Sequence, residues 1–176
     1  MRSPETTNKT DHPLVPVVIA AGSNLGDREW HLRRAVHRLR GMISVVRVSS
    51  IYTAAAVDSP RDAPDFLNLV LAGVTQTAAA PLLDGLKRIE QGLGRRRGVR
   101  NAPRIIDLDL IFYGGVIIRE RGLQIPHPRY RTREFVLAPL RDLALPWVDP
   151  STGAQITSLR GEGIVRRGDS IGAIRP

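Results

Sequence analysis

The sequence predicts an α+β fold in which helices pack on one face of an antiparallel sheet. Short β-branched or apolar runs alternate with amphipathic runs, turns rich in glycine and proline separate them, and no internal repeat is visible. The 176 residues suit one domain, and 42% hydrophobic with 24% charged residues is a globular composition. We expect a disordered leader at residues 1–13 and a single domain at residues 14–176.

The first two elements are a buried strand and an amphipathic helix. The apolar run at residues 14–21 predicts the strand, and a glycine-rich turn follows it. Asp27 can cap the helix through its carboxylate. Trp30 and Leu32 begin an apolar stripe along the helix, and Gly41 ends it.

The next elements complete the sheet. Residues 43–53 and 66–76 predict two strands joined by a loop in hairpin fashion. Pro81 suits the first turn of a second helix, and residues 105–113 predict the following strand. The order strand, helix, strand, strand, helix, strand is the ferredoxin-like arrangement. After a last helix at residues 135–143, we expect irregular chain with one short strand or turn.

Composition excludes several classes of protein. The absence of cysteine excludes disulfides and thiolate metal sites. No apolar run approaches the roughly 20 residues that cross a bilayer, and the polar N-terminal residues lack the apolar core of a signal peptide. These features predict a cytoplasmic protein without a membrane partner.

The formal net charge is +9, and nearly all of the basic residues are arginines, since only Lys9 and Lys87 are lysines. Compositional bias alone can produce such an excess. A polyanionic partner, either a nucleic acid or a nucleotide polyphosphate, is the functional alternative, because the planar guanidinium group donates two parallel hydrogen bonds to phosphate. Bulk charge does not distinguish these cases, so the positions of the arginines must.

Paired carboxylates in the strand at residues 105–113 are the most informative local feature. Side chains at positions i and i+2 of a strand share a face, so Asp107 and Asp109 lie side by side while Leu108 faces the core. Their mutual repulsion favours a cation, and hard oxygen ligands suit Mg²⁺ that carries nucleotide phosphates. The alternative is a hydrated sheet face on which the aspartates meet water or Arg104.

An arginine-rich loop immediately precedes these carboxylates. It contains Arg95, Arg97 and Arg100, and Arg104 opens the strand. Positive charge at this place can stabilise a triphosphate held by the metal, which is most of what a protein contributes to phosphoryl transfer. A solvated loop or a nucleic-acid contact surface would have the same composition.

The turn after the first strand contains Gly22, Ser23 and Asn24. Backbone amides in such turns can hold phosphate, but no lysine follows in the frame of a Walker loop. A simple tight turn explains this segment equally.

Two of the phenylalanines have polar neighbours. Phe66 lies near Asn68, and Phe135 lies near Arg133. Aromatic faces combined with an amide suit a flat heterocycle, although both rings can equally belong to the core. His127 lies between two prolines, where it can donate to phosphate or serve only the structure.

Together these segments resemble the 6-hydroxymethyl-7,8-dihydropterin pyrophosphokinase family, also called 2-amino-4-hydroxy-6-hydroxymethyldihydropteridine diphosphokinase. The resemblance covers residues 17–146. Its motifs, in the family's order, are GSNLGD at 22–27, PDFLN at 64–68, the helix end with Glu90, GRRR at 94–97, APRIIDLDLIFYG at 102–114 and IPHPRYRTREFVLAPL at 125–140.

The resemblance implies that a diphosphate moves from ATP to the hydroxymethyl group of the pterin, releasing AMP, in folate biosynthesis. It implies ATP as co-substrate and two Mg²⁺ ions bound to Asp107 and Asp109. Pterin contacts would come from Ala54, Ala55, Val57, Phe66, Asn68, Asp107 and Phe135. ATP contacts would come from Glu90, Arg95, Arg97, Arg104, His127 and Arg133. The floor of the site would consist of Gly22, Ser23 and Asn24, and the catalytic residues would be Arg95, Arg104, Asp107 and Asp109.

The sequence departs from the family pattern near the expected lid. Asn101 and Ala102 stand where many members have Trp-Gly, so lid closure is expected to differ. Ile105 replaces a common threonine, and Gly122 replaces a common arginine, with Arg121 adjacent. The aspartate pair is unaffected, so we expect an active enzyme, most simply a monomer.

Two other functions compete with this hypothesis. Nucleotidyl transferases also combine a Gly-Ser turn with two aspartates, but there the motifs lie close together in sequence. An RNA-binding ferredoxin-like module would display clustered aromatics on its sheet, whereas this chain has few aromatics and places carboxylates there. The expectation is therefore that no nucleic acid binds.

Overall fold

The computed structural model describes residues 13–55, 64–95 and 103–170, apart from the side chains of residues 169 and 170. Most of the expected leader therefore lies outside the described residues. In chain order the elements are β1 (Val15–Ser23), α1 (Arg28–Leu39), β2 (Ser44–Val48), β3 (Ser50–Ala54), β4 (Phe66–Thr75), α2 (Ala79–Gly92), β5 (Asp107–Tyr113), β6 (Ile118–Glu120), β7 (Leu123–Ile125), α3 (Glu134–Asp142) and β8 (Val165–Ser170). Short 3-10 helices occupy Tyr130–Thr132 and Ile156–Ser158.

The main sheet is antiparallel and has the order β5-β1-β4-β3-β8, with β2 pairing with β4 beside β3. The strands β6 and β7 form a separate hairpin. This arrangement confirms the predicted α+β, ferredoxin-like fold. The central strand β1 has neighbours on both sides, and near its C-terminal end Gly22 lies opposite Asn68 of β4 and Asp107 of β5.

Each face of the sheet has its own hydrophobic core. Val17 and Ile19 of β1 face a core that includes Leu32 of α1 and Leu86 of α2, whereas Val18 faces a second core that includes residues of α3. The prediction of helices on one face describes α1 and α2. The structure adds α3 on the opposite face, since alternate residues of the strands are apolar on both sides and each side requires a cover.

Helix α1 begins as predicted, with the Asp27 carboxylate accepting a hydrogen bond from the Trp30 backbone N–H at 3.0 Å. The placement of Trp30 in the buried stripe is wrong, because its side chain is 50% exposed. At 3.6 residues per turn, Trp30 lies about 200° around the helix axis from the fully buried Leu32. The two side chains therefore project to opposite sides of the helix.

The strand predicted at residues 43–53 is divided into β2 and β3. Ser49 separates them, and its backbone N–H donates to the Val70 carbonyl oxygen at 2.9 Å. Its hydroxyl accepts from the Val70 N–H at 3.0 Å. A side-chain oxygen thus replaces a backbone acceptor at the break, which keeps both polar groups of Val70 paired.

The segment after residue 146, expected to be largely irregular, contains regular structure. Its strand β8 extends the sheet beyond β3, with Thr53 opposite Arg166 and Ala54 opposite Val165. Within the three described ranges, none of the helices has the length and hydrophobicity needed to span a bilayer.

An ion pair to a buried carboxylate fixes a turn within this segment. Asp149 is fully buried, and its oxygens accept hydrogen bonds from Arg131 (2.5 and 2.7 Å), the Ser151 N–H (2.8 Å) and the Thr152 hydroxyl (2.9 Å). Burial alone would raise the pKa of Asp149, but the hydrogen bonds outweigh burial and hold this pKa below its usual range. The ionised carboxylate is therefore the stabilised form.

We predict that Asp149→Asn lowers the free energy of unfolding by about 3 kcal/mol at pH 7, because Arg131 loses its charged partner. The contribution of Asp149 is present above the unfolded carboxyl pKa of about 3.9 and is lost as pH falls toward the folded value. The difference between the proteins should therefore narrow at pH 3. Urea unfolding at both pH values measures this difference in the free energy of unfolding, with Asp84→Asn, at an exposed aspartate, as control. An equal difference at both pH values would contradict the stabilising role of the ionised Asp149.

Candidate active site

A cavity of about 500 Å³ lies between the sheet and the start of α3. Its floor is the junction of three strands, where Gly22 is flanked by Asn68 and Asp107. Because strand residues alternate between faces, the polar side chains of these strands reach the same side as α3. The lining residues are Ala20, Ala21, Gly22, Ala54, Ala55, Phe66, Asn68, Leu69, Arg104, Asp107, Asp109, Arg129, Thr132, Arg133, Phe135, Val136, Glu162 and Gly163.

Both carboxylate oxygens of Asp107 are paired with arginines. Oδ1 accepts a hydrogen bond from Arg95 Nη1 at 2.6 Å, and Oδ2 accepts one from Arg104 Nη1 at 2.7 Å. All three side chains are about one-quarter exposed, so these charge-assisted bonds are only partly screened by water. The arginines that precede β5 in sequence thus converge on its first carboxylate.

Asp109 is far less well satisfied. Among the described residues it accepts no hydrogen bond, and the nearest basic side chains are Arg133, with Nη1 at 3.6 Å, and His127, with Nε2 at 3.8 Å. Burial, followed by repulsion from Asp107, raises the pKa of Asp109. A carboxylate held in this way gains most from a cation brought in with a ligand.

The donor set of the site fits magnesium that is shared with a substrate. In the described ranges, no group of three or more histidine, cysteine or acidic side chains converges to form a complete metal site. Asp107 and Asp109 present oxygen ligands on one face of β5. Mg²⁺ is often held by one or two carboxylates, with phosphates and water completing its octahedron. The structure therefore suits a metal that arrives with a polyphosphate.

Glu90 supports the carboxylate strand from the other side. It is buried near the end of α2, where Oε1 accepts from the Leu108 backbone N–H at 2.7 Å and also from Arg95. Burial, only partly offset by these hydrogen bonds and by the charge of Arg95, raises the pKa of Glu90 to about 7. Glu90 therefore positions both Arg95 and β5.

The end of β1, which extends through Ser23, and the following Asn24 are tied to the start of the carboxylate segment. The Asn24 N–H donates to the Arg104 carbonyl at 3.1 Å, and Asn24 Oδ1 accepts from the Arg104 N–H at 2.7 Å. The Ser23 hydroxyl donates to the Ile105 carbonyl at 2.6 Å. Ser23 and Asn24 are both buried, so they fix the backbone from which Arg104 reaches Asp107.

Two aromatic rings and one amide form the less charged part of the cavity. Phe66 and Phe135 both line it, and the Arg133 guanidinium lies 5.4 Å from the centroid of the Phe135 ring. Asn68 is 6% exposed, and its Nδ2 has no hydrogen-bond partner in the described part of the chain. A buried donor without a partner is costly, so this amide is prepared for an acceptor on a ligand.

The structure brings most of the expected site residues together. The expected residues that line one cavity are Gly22, Ala54, Ala55, Phe66, Asn68, Arg104, Asp107, Asp109, Arg133 and Phe135. Glu90, Arg95 and His127 lie around the carboxylates instead, and Ser23 and Asn24 lie beneath Arg104. Val57, Arg97 and the expected lid positions Asn101 and Ala102 lie outside the described residues.

Other residues that line the cavity were not predicted from the sequence. Arg129 and Thr132 lie inside the motif that contains His127 and Arg133, so the sequence could have indicated that they lie near the site. Glu162 and Gly163 belong to a segment without apolar periodicity, and nothing in its pattern indicated the cavity.

The fold and the site together define a class of protein: an α+β enzyme with paired carboxylates and arginines beside a cavity for a flat ring, suited to metal-assisted phosphoryl transfer. The model of the family "7,8-dihydro-6-hydroxymethylpterin-pyrophosphokinase (HPPK)" matches residues 18–145. The chain belongs to this family.

Curated relatives support the same family. The chain is 46% identical over 144 residues to the "Folate synthesis bifunctional protein, mitochondrial" of Arabidopsis thaliana, covering 81% of this chain and 26% of the relative. It is 40% identical over 139 residues to the "2-amino-4-hydroxy-6-hydroxymethyldihydropteridine pyrophosphokinase" of Bacillus subtilis, covering 78% of this chain and 83% of the relative. The chain thus spans about a quarter of the bifunctional plant relative.

Solved structures confirm the fold. A crystal structure of Plasmodium falciparum HPPK-DHPS wild type with pterin and p-hydroxybenzoate matches with a TM-score of 0.66 over 85% of this chain and 42% of that one. The sequence identity is 14%, so this likeness establishes the architecture alone.

We predict that Glu90→Gln becomes progressively more stable relative to the wild type as pH rises from 5 to 8. The folded-state pKa of Glu90 lies above its unfolded value, so the wild type loses stability as pH rises through the interval between them. Glutamine keeps the acceptor for Leu108 and does not ionise.

Urea unfolding of both proteins at pH 5 and pH 8 measures this trend, and Glu29→Gln reports the effect of removing an exposed carboxylate. A difference between wild type and Glu90→Gln that is independent of pH would contradict it.

Proposed function

We propose that this chain transfers a diphosphate from ATP to the hydroxymethyl group of 6-hydroxymethyl-7,8-dihydropterin, giving AMP and the pterin methyl diphosphate, in folate biosynthesis. The observation that carries the proposal is the convergence of an acidic pair with two arginines at one end of a cavity, and of Phe66, Asn68 and Phe135 around it. The family supports the same reaction.

The pterin fits the cavity by its chemistry. A flat bicyclic ring offers two faces to aromatic side chains, and Phe66 and Phe135 are the rings that line the cavity. The free Nδ2 of Asn68 supplies a donor for an acceptor on the ring's polar edge. Ala54 and Ala55 place small side chains and backbone beside it, which leaves room for the ring. Val57 and Arg97 stay predicted contacts, for the pterin and for ATP respectively.

ATP is proposed to bind at the charged end. Arg95 and Arg104 are paired with Asp107 in the structure. A phosphate chain that carries Mg²⁺ would offer the arginines phosphate oxygens and the carboxylate a metal ion as new partners. The carboxylates would bind the metal, and the arginines would bind phosphate oxygens. Arg133, near Asp109, adds positive charge on the other side. His127 accepts the Arg129 N–H at Nδ1, and burial lowers its pKa, so its neutral ring can donate through Nε2–H. Two Mg²⁺ ions bound to Asp107 and Asp109 would neutralise phosphate charge and bring the two substrates together.

The reaction then requires little covalent chemistry from the protein. The pterin hydroxymethyl oxygen attacks the β-phosphorus of ATP, the bond to the α-phosphate oxygen breaks, and AMP leaves. The hydroxyl proton passes to solvent. Arg95 and Arg104 hold the phosphates, and Phe66 with Phe135 fixes the ring so that its oxygen faces the phosphorus. Positioning and charge stabilisation are the main sources of rate in phosphoryl transfer.

The sheet face argues against the RNA-binding alternative. RNA-binding sheets of this type need an open face with aromatic side chains for stacking. Here α3 packs against that face, and the half-buried carboxylates of Asp107 and Asp109 lie on it. We further propose a single cytoplasmic domain that acts as a monomer on these two substrates.

The direct test is an assay for AMP release with ATP, Mg²⁺ and 6-hydroxymethyl-7,8-dihydropterin, run with and without the pterin and with excess EDTA. We expect AMP that depends on pterin and disappears with the chelator. Folded protein that releases diphosphate instead of AMP would favour nucleotidyl transfer, and no product at all would refute the proposed reaction.

We predict that Asp109→Asn lowers turnover by at least about 100-fold, because it removes a charged metal ligand at the site of phosphate transfer. Its melting temperature should not fall, since the substitution removes repulsion from Asp107. AMP release and thermal unfolding are measured on the variant and on Asp84→Asn, an exposed aspartate of α2. Near-normal turnover of Asp109→Asn would refute the metal assignment.

We predict that Gly22→Val weakens pterin binding by about 10-fold or more. A Cβ at this position would lie 3.0 Å from Asn68 Oδ1 and 3.6 Å from Phe66 Cδ1, so the branched side chain occupies the pterin site. Valine suits a strand, which favours an intact fold. Equilibrium titration with 6-hydroxymethylpterin measures the change, and Gly115→Val, in a turn away from the site, is the control. Unchanged affinity would place the pterin elsewhere.

A further inference from the structure

A segment beyond the family-matched region contributes to the cavity. The family model ends at residue 145, yet Glu162 and Gly163 line the cavity. We call residues 159–163 the strap. It runs from the 3-10 helix at Ile156–Ser158 to β8 and passes the first residues of α3.

Backbone hydrogen bonds join the strap to the start of α3. The Glu162 N–H donates to the Thr132 carbonyl at 2.9 Å, and the Glu134 N–H donates to the Glu162 carbonyl at 3.1 Å. Arg133 and Glu162 thereby form a parallel bridge. One of the first amides of α3, which has no partner inside the helix, is satisfied by the strap.

Two side chains of α3 reinforce this junction. Glu134 Oε2 accepts from the Gly161 N–H at 2.8 Å, and Arg141 Nη1 donates to the Leu159 carbonyl at 2.8 Å. Arg141 also donates to the other oxygen of Glu134. The Glu134 and Arg141 side chains are 14% and 20% exposed, so this ion pair is well shielded.

Gly161 is the point at which the two backbones meet. A Cβ there would lie 2.5 Å from the Glu134 nitrogen and 2.7 Å from the Arg133 carbonyl carbon. These neighbours are backbone atoms, which cannot rotate away as a flexible side chain can. Any larger residue must push the strap away from α3.

The strap also connects the two walls of the cavity. On one side it holds Glu134, whose chain neighbours Arg133 and Phe135 line the cavity. On the other side it leads into β8, which pairs with the strand that carries Ala54. The spacing between these walls therefore depends on the strap.

We propose that the strap is a positioning element of the pterin site and that Gly161 is its key positioning residue. Close contact at Gly161 sets the start of α3, and with it the placement of Phe135 and Arg133 in the cavity that Phe66 also lines. The inference rests on the proposed function, since it assigns the affected ligand as the pterin.

The test compares Gly161→Ala with Gly115→Ala. An added Cβ at Gly115 meets no described atom within 4 Å, which makes it a matched control. Equilibrium titration with 6-hydroxymethylpterin should show binding weakened by about 10-fold in Gly161→Ala only, since displacements near 1 Å at a site have large effects. The KM for the pterin should rise more than the KM for ATP. Arg133 adjoins the strap, whereas Arg95 and Arg104 are held by hydrogen bonds to Glu90 and Asp107.

Glu134 provides a second test that does not depend on Gly161→Ala folding. Glutamine loses the ion pair with Arg141 but can still accept the Gly161 N–H of the strap, whereas alanine loses both. Pterin affinity should therefore fall less in Glu134→Gln than in Glu134→Ala. Unchanged affinity in folded Gly161→Ala, or equal affinities for the two Glu134 variants, would overturn the proposal.

Binding and turnover distinguish failure of the proposed reaction from failure of the proposed role of the strap. If the wild type binds 6-hydroxymethylpterin but releases no AMP with the dihydropterin, the proposed reaction fails and the titrations still decide the role of the strap. If the wild type does not bind the pterin, both proposals are overturned.

Discussion

The two-residue period of the central strands is the constraint on which the site depends. Gly22, Asn68 and Asp107 lie opposite one another across three strands, so their side chains share a face. The next residues of those strands point into the core beneath α1 and α2. A one-residue slip of β5 would place Leu108 on the site and bury both carboxylates, which makes the register an energetic necessity as well as a functional one.

Charge compensation is the second level of organisation. Glu90 and Asp107 share Arg95, and Arg104 completes the pairing of Asp107. Each charge is partly buried, so an unpaired member would be costly. Asp109 is outside this compensated set, and it is the carboxylate with capacity for a new cation. The charges of the site are therefore largely paired without a ligand, while the Asp109 carboxylate can still bind a cation.

The parts of the fold that follow from local pattern were predictable. Alternating and apolar runs located the strands, the Asp27 cap located α1, and the spacing of Asp107 and Asp109 placed both on one face. Features set by tertiary pairing were not. The break at Ser49 depends on its bonds to Val70, and β8 has the sequence VRRGDS, whose strand conformation comes from pairing with the edge of β3.

The same distinction applies to the site. Sequence could nominate Phe66 and Phe135 as aromatic partners of a ring, but only the packing of α3 on the sheet shows that they line one cavity. Glu162 had no motif to mark it, because it approaches through backbone bonds that any residue can make. The free amide of Asn68 likewise depends on which donors surround it in three dimensions.

The walls of the cavity come from distant parts of the chain, since Gly22 lies in β1 and Gly163 lies two residues before β8. During synthesis on the ribosome, the early strands and helices can pair and collapse before the strap has been made. The binding site itself can close only after residue 163 has left the exit tunnel and β8 has docked. The chain therefore becomes able to bind its ligand only after the strap and β8 have been synthesised.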